Sequence, residues 1–435
     1  MDEILLTLVF LAILFLLLGT GVWVALSLLG VSIIGMFLFT DRPVGDAMAT
    51  IIWSASSSWT LTALPLFIWM GEILFRTKLS ENLFRGLAPW MQRLPGGLLH
   101  INIAGCAIFA AISGSSAATV ATVGKMSIPE LRKRRYPERM IIGTLAGAGT
   151  LGLLIPPSII LIIYGVTVNE SIAKLFMAGV LPGIMLAFLF MGYVAIWGIV
   201  KGKNLETQTE HYSFVDKLRA LLLLLPVMLL ILAVLGSIYL GWATATEAAV
   251  LGVVGALILS AFQGSLNRAT FRESLLGATR TSSMIAFILA GSSFLSLAMG
   301  FTGLPRGLAA WIGSLGLTPL TLIAALTVFY IVLGCFLDGI SAVVLTMAVI
   351  EPLVRQAGFD MIWFGIFLVV VVEMAQITPP IGFNLFVLQG MTGRDMDFIA
   401  KAAIPMFLIM ILAVALLVAL PDLATFLPNA MSAAP

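Results

Sequence analysis

The chain has 435 residues, of which 60% are hydrophobic and only 10% charged, and its mean hydropathy is +1.12. A soluble domain carries roughly 25% charged residues, so there is too little polar side chain here to cover a water-facing surface. A soluble globular protein, a disordered chain and a nucleic-acid binder are excluded, and a polytopic membrane protein remains. The net charge of +2 points to no partner; Cys106 and Cys335 sit in apolar runs as small core residues, and two histidines cannot build a His-rich metal site.

The first apolar run, Ile4 to Thr40, is too long for a signal-peptide core and divides near Gly19–Gly21 into two spans. A spanning helix needs about 20 apolar residues. The pattern predicts ten spans, over 4–20, 22–40, 51–75, 141–165, 172–199, 218–240, 246–263, 275–301, 361–388 and 400–420. Lys and Arg concentrate in cytoplasmic loops. Arg76, Lys78, Arg85 and Arg93 follow 51–75, and Lys125, Arg132 to Arg135 and Arg139 precede 141–165, so both flanks of 97–124 are cytoplasmic. That apolar segment has arms of about 14 residues, too short to cross, around Ser113-Gly114-Ser115-Ser116. It reads as a re-entrant helical hairpin. Continuing the alternation places Arg42, Lys174, Arg306 and Arg355 outside against 19 basic residues inside, counting Arg280, and both termini outside. A second hairpin, about 319–354 with a break at Asp338-Gly339, then enters from the opposite face.

The two halves repeat. Pro129 and Pro352, Pro156 and Pro379, Pro157 and Pro380, and Pro182 and Pro405 are each 223 residues apart. The hairpin tips align with a two-residue slip. Each copy runs span, hairpin, broken span, span, from opposite sides, which is the inverted-topology repeat of secondary transporters. A lone Pro-Pro could be a simple kink; two at the same distance after a hairpin are not. The expected fold is an all-α polytopic membrane protein with about ten spans and two hairpins. The expected division is N-terminal scaffold spans over 1–50, a first repeat over 51–200 and scaffold spans with cytoplasmic loops over 201–274. A second repeat follows over 275–420, and a tail over 421–435.

Pro-Pro breaks a helix because it lacks N–H groups and clashes with the preceding turn. Unwound backbone in a bilayer must find partners or line a wet cavity. Freed carbonyls and hydroxyls make a hard oxygen cage suited to Na⁺. One candidate cation site uses Ser113, Ser115, Ser116 and Thr119 with backbone from Gly149, Thr150, Gly152 and Pro156. The other uses Asp338, Gly339 and Ser341 with Gln376, Thr378, Pro379 and Asn384. Helix N-termini at the tips can hold a carboxylate, which makes Ser115, Ser116, Gly339, Ser341 and Asn384 the substrate candidates. Small residues at the tips also serve close helix packing, the bland alternative. Asp338 and Glu373, the carboxylates deepest in apolar sequence, suit ion binding, proton relay or an ion pair. A hydrolase built on Asp338 with Glu373, or on His100 with a tip serine, lacks an orienting third group.

Three runs carry a resemblance: Ser113-Gly114-Ser115-Ser116-Ala117-Ala118-Thr119, Gly149 to Ser158, and Thr378-Pro379-Pro380-Ile381-Gly382-Phe383-Asn384. In that order they resemble the large membrane subunit, DctM-type, of tripartite ATP-independent periplasmic (TRAP) transporters, over nearly the whole chain. The resemblance implies an elevator-type importer in the bacterial inner membrane, driven by about two Na⁺ ions. It would work with a small four-helix membrane subunit and a periplasmic substrate-binding protein, on organic acids such as C4-dicarboxylates, sialic acid, other sugar acids and keto acids. The sequence begins directly with the first spans, so no fused small subunit is expected, and no P-loop motif is present to use ATP. A stand-alone ion-coupled carrier or antiporter of the same architecture is the alternative, and a channel the third reading. Arg280 is the nearest arginine that could clamp a carboxylate, unless it snorkels.

Overall fold

The computed structural model describes residues 3–201, 212–303, 307, 318–335, 337–379 and 382–432, and regular structure among them is helical throughout. The expectations for Lys203, Arg306, Pro380 and Ile381 fall outside the described residues. The chain opens with α1 (Glu3–Gly19), α2 (Val24–Phe39), α3 (Val44–Ser56), α4 (Ala63–Phe75) and α5 (Leu79–Met91). The first hairpin is α6 (Leu99–Ser113) and α7 (Ser116–Lys133). A broken span follows as α8 (Glu138–Gly149), α9 (Leu151–Leu154) and α10 (Ile159–Val168), then α11 (Ile172–Lys201). Next come α12 (Phe214–Tyr239), α13 (Ala245–Phe262) and α14 (Arg268–Thr302). The second hairpin is α15 (Pro319–Gly334) and α16 (Gly339–Gln356), and the second broken span α17 (Met361–Gln376) and α18 (Phe383–Thr392). The chain closes with α19 (Met396–Ala419) and α20 (Asp422–Ser432).

Among the described residues six helices, α11, α12, α13, α14, α16 and α19, are long and apolar enough to cross a bilayer, and two bent pairs raise the number to eight. Seven of the eight match predicted spans and the eighth is α16, an arm of the second hairpin, so three predicted spans fall short, each for a local cause. The first two predicted spans form helices of 17 and 16 residues, and 361–388 holds two helices of 16 and 10 residues, ending at Gln376 and restarting at Phe383. The predicted span 51–75 begins earlier, at Val44, and bends by 54° between α3 and the segment Trp59–Phe75. Its break follows Ser54 to Ser58, where hydroxyls compete for backbone hydrogen bonds. Two short helices, α5 and α20, arise where the sequence suggested only a loop and a tail.

The helices sort into two packed groups. One comprises α2, α3, α4, α12, α13 and α14; the other holds both hairpins, both broken spans, α11, α19 and α20. Large apolar side chains remain exposed along α12 (Leu222, Leu225, Leu229, Leu232) and α19 (Leu408, Ile411, Leu412). Such continuous apolar faces suit lipid, not water. The repeat is visible in the helix starts. Ser116 and Gly339, which begin the second hairpin arms, are 223 residues apart, and so are Glu138 and Met361. The tips need no slip: Ser115 and Asp338, the N-caps of those arms, also stand 223 apart.

Candidate functional site

The first tip is a tight turn that only its sequence permits. Helix α6 ends at Gly114, whose φ of 57° is left-handed, and a Cβ there would lie 2.9 Å from the Pro157 carbonyl oxygen. Ser115 restarts the chain as an extended N-cap, its hydroxyl accepting from Ala118 N–H. The Ser113 and Thr119 hydroxyls are 2.8 Å apart, and Thr119 Oγ1 donates to the Ser115 carbonyl at 2.8 Å. The Ser113 and Thr119 hydroxyls and the Ser115 carbonyl oxygen therefore converge at this tip.

The first broken span presses on that tip. Helix α9 stops at Leu154, Ile155 is extended, Pro156–Pro157 is a cis peptide bond, and Ser158 caps α10 while donating to the Leu153 carbonyl. A Cβ on Gly152 would lie 2.7 Å from both Ser115 O and Ser116 Cα, so backbone meets backbone here. The Thr150 hydroxyl turns back to Gly147 O at 2.6 Å and is fully buried.

In the second copy, Asp338 Oδ2 accepts from Ile340 and Ser341 N–H at 3.1 and 3.2 Å, so this carboxylate caps α16. The Thr378 hydroxyl donates to Met374 O at 2.7 Å, and Pro379 O accepts from the Cys335 thiol at 3.4 Å.

A cavity of about 740 Å³ joins the two copies. Of the residues singled out in the sequence, Ser113, Ser115, Ser116, Asp338, Gly339, Gln376 and Asn384 line it. Thr119, Gly149, Thr150, Gly152, Pro156, Ser341, Thr378 and Pro379 are not in its lining and stand behind the wall. Its other side is formed by Glu72 and Phe75 of α4 with Thr281 and Met284 of α14, which no sequence signal had marked. Arg280 is exposed and outside the lining, so no arginine faces this cavity among the described residues. His100 Nε2 lies 2.8 Å from Pro95 O, at the start of α6 and away from the tip serines, which removes the proposed nucleophile–base pair. A larger crevice of about 950 Å³ lies by Asn169, Glu170 and Ser171, but none of its lining side chains holds a buried polar atom lacking a partner.

The strongest contact between the copies is Ser116 Oγ donating to Glu373 Oε1 at 2.5 Å. Glu373 is 1% exposed, and its Oε2 has no partner. Gln376 Nε2 and both amide atoms of Asn384 are likewise buried and unpaired. Buried polar groups are normally satisfied, so the three orphan amide atoms of Gln376 and Asn384, both in the cavity lining, mark a place for a polar guest. The donor set is hydroxyl, carbonyl and carboxylate oxygen, and no group of three His, Cys, Asp or Glu side chains occurs among the described residues. This chemistry suits an alkali cation and not a transition metal.

Comparison with known proteins agrees with this architecture. Residues 11–423 match the family model of the tripartite ATP-independent periplasmic transporter, DctM component. The chain is 31% identical over 395 residues to the C4-dicarboxylate TRAP transporter large permease protein DctM of Pseudomonas aeruginosa, covering 91% of this chain and 92% of that protein. It is 31% identical over 390 residues to the isethionate TRAP transporter permease protein DctMQ of Oleidesulfovibrio alaskensis, covering 88% of this chain and 60% of that longer protein. Among solved structures, the YdaH transporter of Alcanivorax borkumensis has a TM-score of 0.63 over 94% of this chain and 97% of its own, at 12% identity, a likeness of fold alone. This multi-span membrane protein belongs to the DctM family, the large permease component of TRAP transporters.

Proposed function

We propose that the chain is the permease of a Na⁺-coupled importer of a small organic anion in the bacterial inner membrane. The observation that carries this reading is the shared cavity, in which two mirrored tips bring oxygen clusters and unpaired amides together. Sodium would sit at the tips, where Ser113, Ser115, Thr119 and the Ser115 carbonyl supply oxygen. The anion would be held by the Gln376 and Asn384 amides and by the N-terminal N–H groups of α7 and α16, which carry partial positive charge. With no arginine in the wall, cations bound at the tips would offset the cargo's charge. The names of the two relatives support the substrate class, since a C4-dicarboxylate and isethionate are both small organic anions.

The group holding both hairpins and both broken spans would move as the carrier body. The α2, α4, α12, α13 and α14 group would be the static scaffold and would meet a small four-helix subunit. A periplasmic binding protein would deliver the cargo. Two packed groups with one cavity at their boundary support alternation by sliding one against the other.

The test is uptake of radiolabelled C4-dicarboxylates, isethionate and sugar acids into proteoliposomes holding this chain and its two partners, with Na⁺ varied. Ser113→Ala, which removes a proposed Na⁺ ligand, should weaken Na⁺ dependence strongly. Thr378→Ala should weaken it less, because that hydroxyl already bonds its own helix. Na⁺-independent uptake in the wild type would end the coupling hypothesis, and full uptake by the chain alone would select a stand-alone carrier.

A further inference from the structure

Two arginines occupy the same place in the two repeats. Arg132 lies in the last turn of α7 and Arg355 in the last turn of α16, 223 residues apart. Each reaches out of its own repeat. Arg132 Nη2 donates to Thr392 O at 3.4 Å, and Arg355 Nη2 donates to Val168 O at 3.0 Å. Thr392 and Val168 are the last residues of α18 and α10, the half-helices that follow the two breaks. Both half-helices stop at a left-handed residue, Gly393 at φ 68° and Asn169 at φ 56°. The last carbonyls of a helix lack intrahelical partners and carry partial negative charge, so each guanidinium binds the end that most needs a cation. Acids complete both sites. Glu138 bonds Arg132 and Arg394, while Glu170 lies 3.8 Å and Glu351 2.9 Å from Arg355.

We propose that Arg132 and Arg355 are positioning residues that staple each hairpin to the other repeat's broken helix. The two staples sit at opposite ends of the body, and the Ser116–Glu373 bond joins the copies between them. The hairpins then cannot lift as independent flaps. Access to the cavity changes only when the whole body shifts against the α4 and α14 wall. This assignment rests on the transport reading for its use, but the staple itself is testable without transport.

The experiment is hydrogen exchange on the full chain in nanodiscs. Arg132→Ala should speed exchange in the last turn of α18, and Arg355→Ala in the last turn of α10. Each change should be roughly two- to fivefold, the range for a half-exposed charged contact at a helix end. The signature is crossed: each cut is felt in the other repeat. Lys at either position keeps the charge and should restore most protection. In the reconstituted system, half-saturating Na⁺ should rise severalfold in both alanine variants and recover with Lys, because a loosened half-helix no longer fixes the cage. If the alanine variants do not fold, Arg132→Gln and Arg355→Gln should give the same crossed pattern at smaller size. Loss of protection confined to the arginine's own repeat, or no change in either, overturns the proposal. A wild type whose uptake ignores Na⁺ would instead sink the coupling reading and leave the exchange result to decide the staple.

Discussion

Gly152→Ala is the sharpest probe of how the first tip meets its broken span. The added Cβ would stand 2.7 Å from Ser115 O, 2.7 Å from Ser116 Cα and 2.8 Å from Ser115 C. All three are backbone atoms at a turn fixed by Gly114, so no flexible side chain can swing away. Overpacking of this kind costs about 1–3 kcal/mol. Replacing Gly by Ala inside a helix returns about 1 kcal/mol at most, and α9 is only four residues long, which keeps the gain small. Strain wins, by about 1–2 kcal/mol on these figures. If the tip moves to relieve it, half-saturating Na⁺ should rise roughly five- to thirtyfold, since 1.4 kcal/mol is a factor of about ten. Gly192→Ala is the matched control, a glycine in α11 with nothing within 4 Å of its would-be Cβ. Thermal melting and Na⁺-dependent uptake of both variants decide the matter. A Gly152→Ala protein that melts and responds to Na⁺ like Gly192→Ala would refute the close approach.

Other outcomes follow from the orphan atoms. Ser116→Ala strips Glu373 of its one partner and should destabilise the protein by about 1–3 kcal/mol, measured as a lowered melting temperature. Adding Glu373→Met should recover part of that loss, because removing both partners is cheaper than stranding one; strict additivity in the double mutant would show that the bond does not form. Gln376→Ala and Asn384→Ala should each raise the KM for the anion about tenfold, the value of a hydrogen bond to a charged group. Unchanged KM in both would remove the amides from the binding site. Asn384→Asp should abolish uptake by setting a carboxylate against the cargo.

Much of this architecture is written in local sequence. The prolines and the Ser-Gly-Ser-Ser turn announce a break and a tip through chemistry that acts within a few residues. Their spacing gave the repeat, and the paired N-caps Ser115 and Asp338 tighten the alignment from a two-residue slip to an identical offset. What stayed hidden depends on which helices end up adjacent. Ser116 and Glu373 are 257 positions apart, and Glu72 and Met284 enter the cavity only because α4 and α14 pack beside the tips. The bend after Ser56 was legible in its serine run but masked by hydropathy on both sides. Thr150 and Thr378 carry the right group for a ligand, yet their hydroxyls turn back to carbonyls of their own helices, an outcome composition does not specify.

The wall opposite the tips has a consequence for inhibition. Phe75 and Met284 belong to helices that would stay put while the tips travel. An anion whose head suits the amides but whose tail reaches past those two side chains would be caught between surfaces in relative motion. Such a compound would jam the machine like a wedge in a sliding door, and its potency would grow with reach more than with grip.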